Sequence, residues 1–445
     1  VLEIHLFISG FKNMKKTTGI IIFIACAVFL AEQIFFLICG YALPEQFGDT
    51  FMGELKYKYE RLVQTEGKRI IFIGGSGTAF GYDCELTENL LKEYRTVNFG
   101  MYAGLGIRAV LDLSEDLIRK GDIVIVSPEQ DPQTLSCYFN GTYMWQAADG
   151  AFYMLKGLKR NSLEQMLGTF PGFALEKLNY VIGGKKPEAD SVYCRKSFNE
   201  YGDIKDEICS GNVMPEGFDP DHPVTFTKEV IQEEFICYLN SYAEKIEKKG
   251  ARIWYRFCPC NRSAVVNEEN ADKYYRYLQE ALEFPVIGNP HNSIMDEEWF
   301  FDTNFHLNSS GKTVNTVQAV RDIKAMLGDS SSVKTDIPEK PENRSRDPEM
   351  KKQIWTKENS YEYQDQEEIV IPKEITRIQD YSFENCKMLK RIIMQQKDPS
   401  ACMVGQHLLD GTDAQIFVPE EAADRYRLNY SWSVYADRIQ ETEHP

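Results

Sequence analysis

The chain has little that would suit it to nucleic acid. Lysine and arginine number 50 against 67 aspartates and glutamates, a formal net charge of −17. Phosphate backbones are bound by a basic face, so nucleic acid is excluded as the main partner. Cofactor signatures are missing too. No GK[ST] ending completes a phosphate-binding P-loop. No GxGxxG opens a dinucleotide site, because Gly75 and Gly77 are followed by Phe80 where a third glycine belongs. The eleven cysteines contain no CxxC pair and no zinc spacing. No cofactor and no metal are expected. Histidine is scarce, six in 445 residues. What is present is globular: 43% hydrophobic and 12% aromatic residues exclude global disorder. The length suggests two or three domains.

A mean hydropathy of −0.39 hides one long apolar run. Residues 17–43 include GIIIFIACAVFLAEQIFFLICGYAL, interrupted only by Glu32-Gln33. Twenty-five residues of helix reach roughly 37 Å, enough for a hydrocarbon core of about 30 Å. Lys12, Lys15 and Lys16 precede the run, so the positive-inside rule puts the N-terminus in the cytoplasm and the rest outside. A cleaved signal peptide is the alternative, but its apolar region is normally only about 7–15 residues. Cys39 follows a large isoleucine, which argues against lipid modification. Met14-Lys15-Lys16 reads as a natural bacterial start. Glu32 is costly inside a membrane unless protonated or paired, so it is either tolerated as the neutral acid or touches another membrane protein. Outside the span, Cys194 and Cys209 flank a polar stretch and are a candidate pair if the exterior is oxidising, whereas most of the cysteines read as small buried apolar residues.

Beyond a charged, partly helical segment at 44–67, short apolar runs alternate with amphipathic ones. Strands are expected at 70–73, 96–99, 122–126, 251–257 and 284–287. Helices are expected at 106–120, 228–249, 267–283 and 310–327. This alternation predicts an α/β fold, a three-layer α/β/α domain over 68–328 with a mostly parallel sheet. Residues 132–227 break the rhythm and read as an insertion, either a lid over the carboxyl end of the sheet or a packing appendage. Residues 329–361 read as a linker, with Ser330 to Ser332, three prolines and dense mixed charge. A small module occupies 362–445.

The first strand runs into Gly74-Gly75-Ser76-Gly77. A serine there is a nucleophile, part of an anion-binding loop, or a plain turn residue. Far downstream, Asp302-Thr303-Asn304-Phe305-His306-Leu307-Asn308 precedes the last helix. A nucleophilic serine needs a base, and the base an orienting group; His306 and Asp302 offer both. These blocks resemble the SGNH (GDSL-like) hydrolase family. GGSGTAF is similar to its first block, with Ser76 as nucleophile. Asn98-Phe99-Gly100 is similar to its second, making Gly100 an oxyanion-hole donor beside the Ser76 N–H. DTNFHLNSSG is similar to its last, with Asp302 and His306 as the acid and base. The likeness departs from the family at two places. Ser127-Pro128-Glu129-Gln130-Asp131 stands where the third block carries an oxyanion-hole asparagine, putting Glu129 at that position and leaving Gln130 as the other possible donor. Asp302 lies four residues before the histidine, where three is usual. Tyr82, Tyr102, Trp145 and Trp299 are either sugar-stacking platforms or core residues.

The resemblance is nearest to membrane-anchored, extracytoplasmic members that act on cell-surface polymers. It implies an esterase or O-acyltransferase acting on a cell-surface polysaccharide or other acylated glycan, with a multi-span membrane acyltransferase as a possible partner. The other reading is a non-enzymatic surface protein that binds glycan or protein and mediates adhesion. IVIPKEITRIQDYSFENCKMLKRIIM, residues 369–394, resembles a surface-antigen-type leucine-rich repeat through Ile375, Ile378, Phe383, Cys386, Leu389 and Ile392. Residues 416–439 resemble the end of such an array. Cys386 is then a buried ladder residue, and so small a unit is expected to dock on the larger domain.

Overall fold

A computed structural model describes residues 21–184, 186–187, 192–341, 353–405, 407–429 and 431–442. Lys12, Lys15, Lys16 and the start of the apolar run lie outside them. The apolar run forms helix α1 (Ile21–Ala42), long and apolar enough to cross a membrane. Its last turn, Ile38–Ala42, is π-helical.

The fold is α/β with mostly parallel sheets. The main sheet has five parallel strands: β1 (Lys68–Gly74), β2 (Tyr94–Gly100), β3 (Ile123–Val126), β4 (Arg252–Arg256) and β6 (Val286–Ile287), with β5 (Cys260–Asn261) lying between the last two in sequence. Their order is β2-β1-β3-β4-β6. After β1 the chain adds β2 on one side and then β3 on the other. That reversal opens a crevice at the carboxyl ends of β1 and β3, where doubly wound sheets place their ligands. Both faces of β1 and β3 are buried, as continuous runs such as IIFI and IVIV require.

Helices α2 (Glu54–Gln64), α3 (Ser76–Gly81), α4 (Cys84–Leu90), α5 (Ile107–Glu115), α8 (Glu233–Lys248), α9 (Ala271–Ala281) and α10 (Ser309–Leu327) belong to this domain; α6 (Gly141–Ala147) and α7 (Arg160–Gly183) lie in the insertion. The insertion divides into two parts. Through α6 and α7 it packs against the end of α1, with rings of Trp145, Phe170 and Tyr41 within about 6 Å of one another. Its later part runs past the carboxyl end of the sheet, where Val213 N–H donates to Phe301 O. The two-residue strand β5 and its partner β7 (Ile294–Met295) are too short to show in the apolar pattern.

The cysteines correct one expectation. All eleven are free thiols, including Cys194 and Cys209. Cys194 lies against the Ser197 hydroxyl, whereas Cys209 sits beside Lys205 O. The aromatics also divide. Tyr82 is fully buried and stacked on Phe72, and Trp145 donates to Met166 O, so both are core residues. Tyr102 and Trp299 are half-buried.

Past α10, residues 329–341 form no regular secondary structure. Regular structure resumes inside the stretch expected to be linker, because β8 (Ile354–Trp355) already pairs with β10 (Arg377–Ile378). Two parallel ladders follow. One joins β8, β10 and β12 (Met403–Val404). The other joins β9 (Glu368–Ile371), β11 (Arg391–Met394), β13 (Gln415–Val418) and β14 (Ile439–Glu441). Ile369, Ile392, Ile416 and Ile439 stand in register across the second ladder, each buried. Cys386 is buried in the same core as Ile375, Ile378, Phe383 and Leu389. Arg377 ties this unit to the α/β domain, bonding Asp219 and Asp221 from a buried position.

Candidate active site

Ser76 opens α3 directly after the glycine exit of β1. The Glu129 side chain crowds this turn. A Cβ on Gly75 would lie 2.2 Å from Glu129 Oε2. The short helix holds the Ser76 hydroxyl toward the loop before α10. There, Phe301 N–H donates to His306 O at 2.8 Å and closes Asp302 to His306 into a tight loop. His306 N–H is also held by Thr303 Oγ1 at 3.1 Å. That closure explains how an acid four residues before the histidine still meets its ring. Asn308 then caps α10, accepting from Gly311 N–H.

The three residues form a continuous chain. Ser76 Oγ lies 2.8 Å from His306 Nε2, and His306 Nδ1 lies 2.8 Å from Asp302 Oδ1. With Nδ1–H donating to the carboxylate, Nε2 is left to accept from the serine. The group is enclosed: Ser76 is 4% exposed and His306 2%.

Two neighbours join the site that were not among the expected residues. Tyr193, from the insertion, donates its hydroxyl to Asp302 Oδ2 at 2.5 Å and sits 3.3 Å from His306 Nδ1. Phe80 stacks flat on the imidazole at 4.0 Å between centroids. Phe80 was findable in principle, since it lies one helical turn beyond Ser76. Tyr193 was not, because only the fold brings the insertion back to the last loop.

The oxyanion side differs from expectation. Ser76 N–H opens a helix, where backbone donors have no intrahelical acceptor. Gly100 N–H is spent: it donates to Asn98 Oδ1 at 3.0 Å, because the asparagine folds back on its own strand end. Gly100 is needed instead for packing, since a Cβ there would lie 2.7 Å from Ala79 N. The Gln130 amide donates one N–H to Thr225 O at 3.0 Å.

The Glu129 carboxyl lies against Gly75 and Gly77, the two residues flanking Ser76. Oε1 accepts from Gly77 N–H at 2.5 Å, while Oε2 is buried without a partner. Burial pushes this carboxyl up to about 7, against the pull of backbone N–H groups and His306. At neutral pH a large fraction is therefore the neutral acid, whose O–H is a donor. The nearby thiols are poor rivals to the serine, since burial pushes Cys209 up to about 12 and Cys258 well above its ordinary value.

A cleft of about 350 Å³ reaches Asp302 but not Ser76 or His306; it is lined by Tyr193, Phe301, Asp302 and Thr303 on one side and by Thr376, Asp398 and Met403 of the C-terminal unit on the other. Asn304, on the same loop as Asp302 and His306, bonds the backbone of Asp219, the residue that Arg377 grips. No group of His, Cys, Asp and Glu placed to hold a metal occurs among the described residues.

No family model matches this chain, and neither does any curated protein. Among solved structures, the crystal structure of protein YxiM from Bacillus subtilis is similar at 12% identity with a TM-score of 0.26. The match covers 58% of this chain and 57% of that chain. So slight a likeness bears no weight, and the functional reading rests on the site.

Proposed function

We propose that this protein is a membrane-anchored serine esterase or O-acyltransferase of SGNH type, acting outside the cytoplasm on an acylated cell-envelope glycan. One observation carries the reading: the hydrogen-bonded chain from Ser76 through His306 to Asp302. Ser76 Oγ forms a bond to the ester carbonyl carbon as its proton passes to His306 Nε2. The carbonyl π pair moves onto oxygen. Collapse restores the carbonyl and breaks the bond to the alcohol, which leaves with the proton from His306. Water or a glycan hydroxyl then takes the acyl group by the same steps in reverse. Asp302 orients the ring and Tyr193 braces Asp302. Ser76 N–H and the neutral Glu129 carboxyl are the donors assigned to the oxyanion.

The basic residues before α1 support an outward-facing main domain, and Glu32 within α1 would suit a multi-span acyltransferase partner. The leucine-rich-repeat reading of the C-terminal unit is supported by its stacked parallel strands. The competing reading is a non-catalytic glycan binder. Hydrolysis of a generic acetyl ester, together with labelling by a fluorophosphonate, separates the two. The expected result is turnover and labelling that both vanish in Ser76→Ala. Turnover that survives Ser76→Ala would sink the mechanism, and glycan binding without labelling would establish the binder.

A further inference from the structure

Helix α7 has two apolar faces. Met166, Phe170 and Phe173 point into the core. Along the flank beside that face Leu163, Leu167, Leu175 and Ile182 are exposed, Leu167 by 69% and Ile182 by 75%. Steps of three, four or their sums place these four along one side of a helix. The stripe begins with an exposed ion pair, Arg160 to Glu164 one turn on, and from Gln165 to Leu175 no residue is charged. An outward face of a soluble domain ordinarily carries charge at such positions. Gly168 and Gly172 share this face, and a Cβ on either would meet nothing within 4 Å.

What lies beside the stripe identifies its occupant. The last turn of α1 is clamped to the middle of α7. A Cβ on Gly40 would lie 2.5 Å from the Phe170 ring, and Lys177 Nζ donates to Gly40 O at 2.9 Å. A helix about 10 Å across, fastened to the end of a bilayer-spanning segment, lies at the boundary between water and lipid. Arg160 begins α7 and Lys186 follows its end, exposed and paired with Glu164 and Asp49, at positions from which long basic side chains extend toward headgroups.

We infer that α7 is an interfacial helix whose Leu167, Leu175 and Ile182 stripe beds in the bilayer that α1 spans, seating the α/β domain on the membrane surface. This rests on the reading of α1 as a membrane span. The test uses the full chain in phosphatidylcholine and phosphatidylglycerol vesicles. Photoreactive benzoylphenylalanine replaces, one at a time, Val28 in α1, Leu167 and Ile182 in α7, and Glu280 on α9 at the opposite edge of the sheet. Mass spectrometry reads the adducts. Lipid adducts are expected at 28, 167 and 182 and none at 280. An adduct at 28 with none at 167 and 182 would overturn the interfacial helix alone. Cross-linked pairs of chains through 167 or 182 would overturn it in favour of a second copy on the stripe. No lipid adduct at 28 would overturn the membrane reading, and the inference with it.

Discussion

Replacing Glu129 with glutamine tests the oxyanion side of the site most directly. Glutamine keeps an oxygen to accept from Gly77 N–H and puts a permanent N–H donor where Oε2 now lies. In the native protein the donor exists only while the carboxyl is protonated. Its value is raised from 4.5 to about 7 by burial, so the active form should fall tenfold per pH unit above about 7. At pH 9 the native rate should be about a hundredfold below its plateau, within the roughly 10²–10³ that one oxyanion donor contributes. Glu129→Gln should lose this alkaline limb. Stability carries the same signature with a defined sign. A carboxyl raised on folding stabilises fully below its unfolded value and loses that contribution as pH rises through about 7. A shift of about 2.5 units at 1.36 kcal/mol each is about 3 kcal/mol. The variant should therefore gain up to that much relative to the native chain between pH 4 and pH 9. The assays are kcat/KM against pH on an acetyl ester and denaturant unfolding at both pH values. The infrared carboxylic-acid band lost in the variant reports protonation without activity. Superimposable alkaline limbs, or a folded variant dead at every pH, would refute the donor role.

Asp302→Asn should keep the fold yet lower kcat by about 10³–10⁴, because the imidazole loses the partner that fixes its tautomer; a fall under tenfold would remove Asp302 from the mechanism. Arg377→Met should cost about 3–5 kcal/mol at pH 7, since it leaves Asp219 and Asp221 buried without their cation. Burial pushes Asp219 up, but His222 and Arg377 outweigh it and hold it well below the carboxylate range. That stabilisation is present above about pH 4 and fades as pH falls, so the deficit should narrow in acid; a loss under 1 kcal/mol at pH 7 would show the contact is incidental. Gly100→Ala should destabilise by about 1–3 kcal/mol because its Cβ meets the backbone of α3, and a chain as stable as native would contradict that packing.

The α/β alternation was legible because buried parallel strands are uniform apolar runs and their crossover helices are amphipathic; IIFI, IVIV and the helix over 233–248 each announced their state. Ser76 and His306 were legible because a glycine turn after the first strand and a histidine on a polar loop are unusual in themselves. The oxyanion expectation for Gly100 failed because a strand-end N–H is assigned by which side chain folds back, and Asn98 claims it. Strand β8, inside the stretch read as linker, was not legible because it has only two residues and its partner strand lies more than twenty positions away.

The sequence by itself determined the periodic elements and the order of the chemical blocks, since both depend on residues close in the chain. Tertiary structure alone decided what surrounds them. It brought Tyr193 to Asp302, pressed Glu129 between Gly75 and Gly77, bonded Gln130 to Thr225, and turned one face of α7 outward. Those are contacts between residues tens to more than a hundred positions apart. Their partners are set by the closure of the whole fold, which no local pattern encodes.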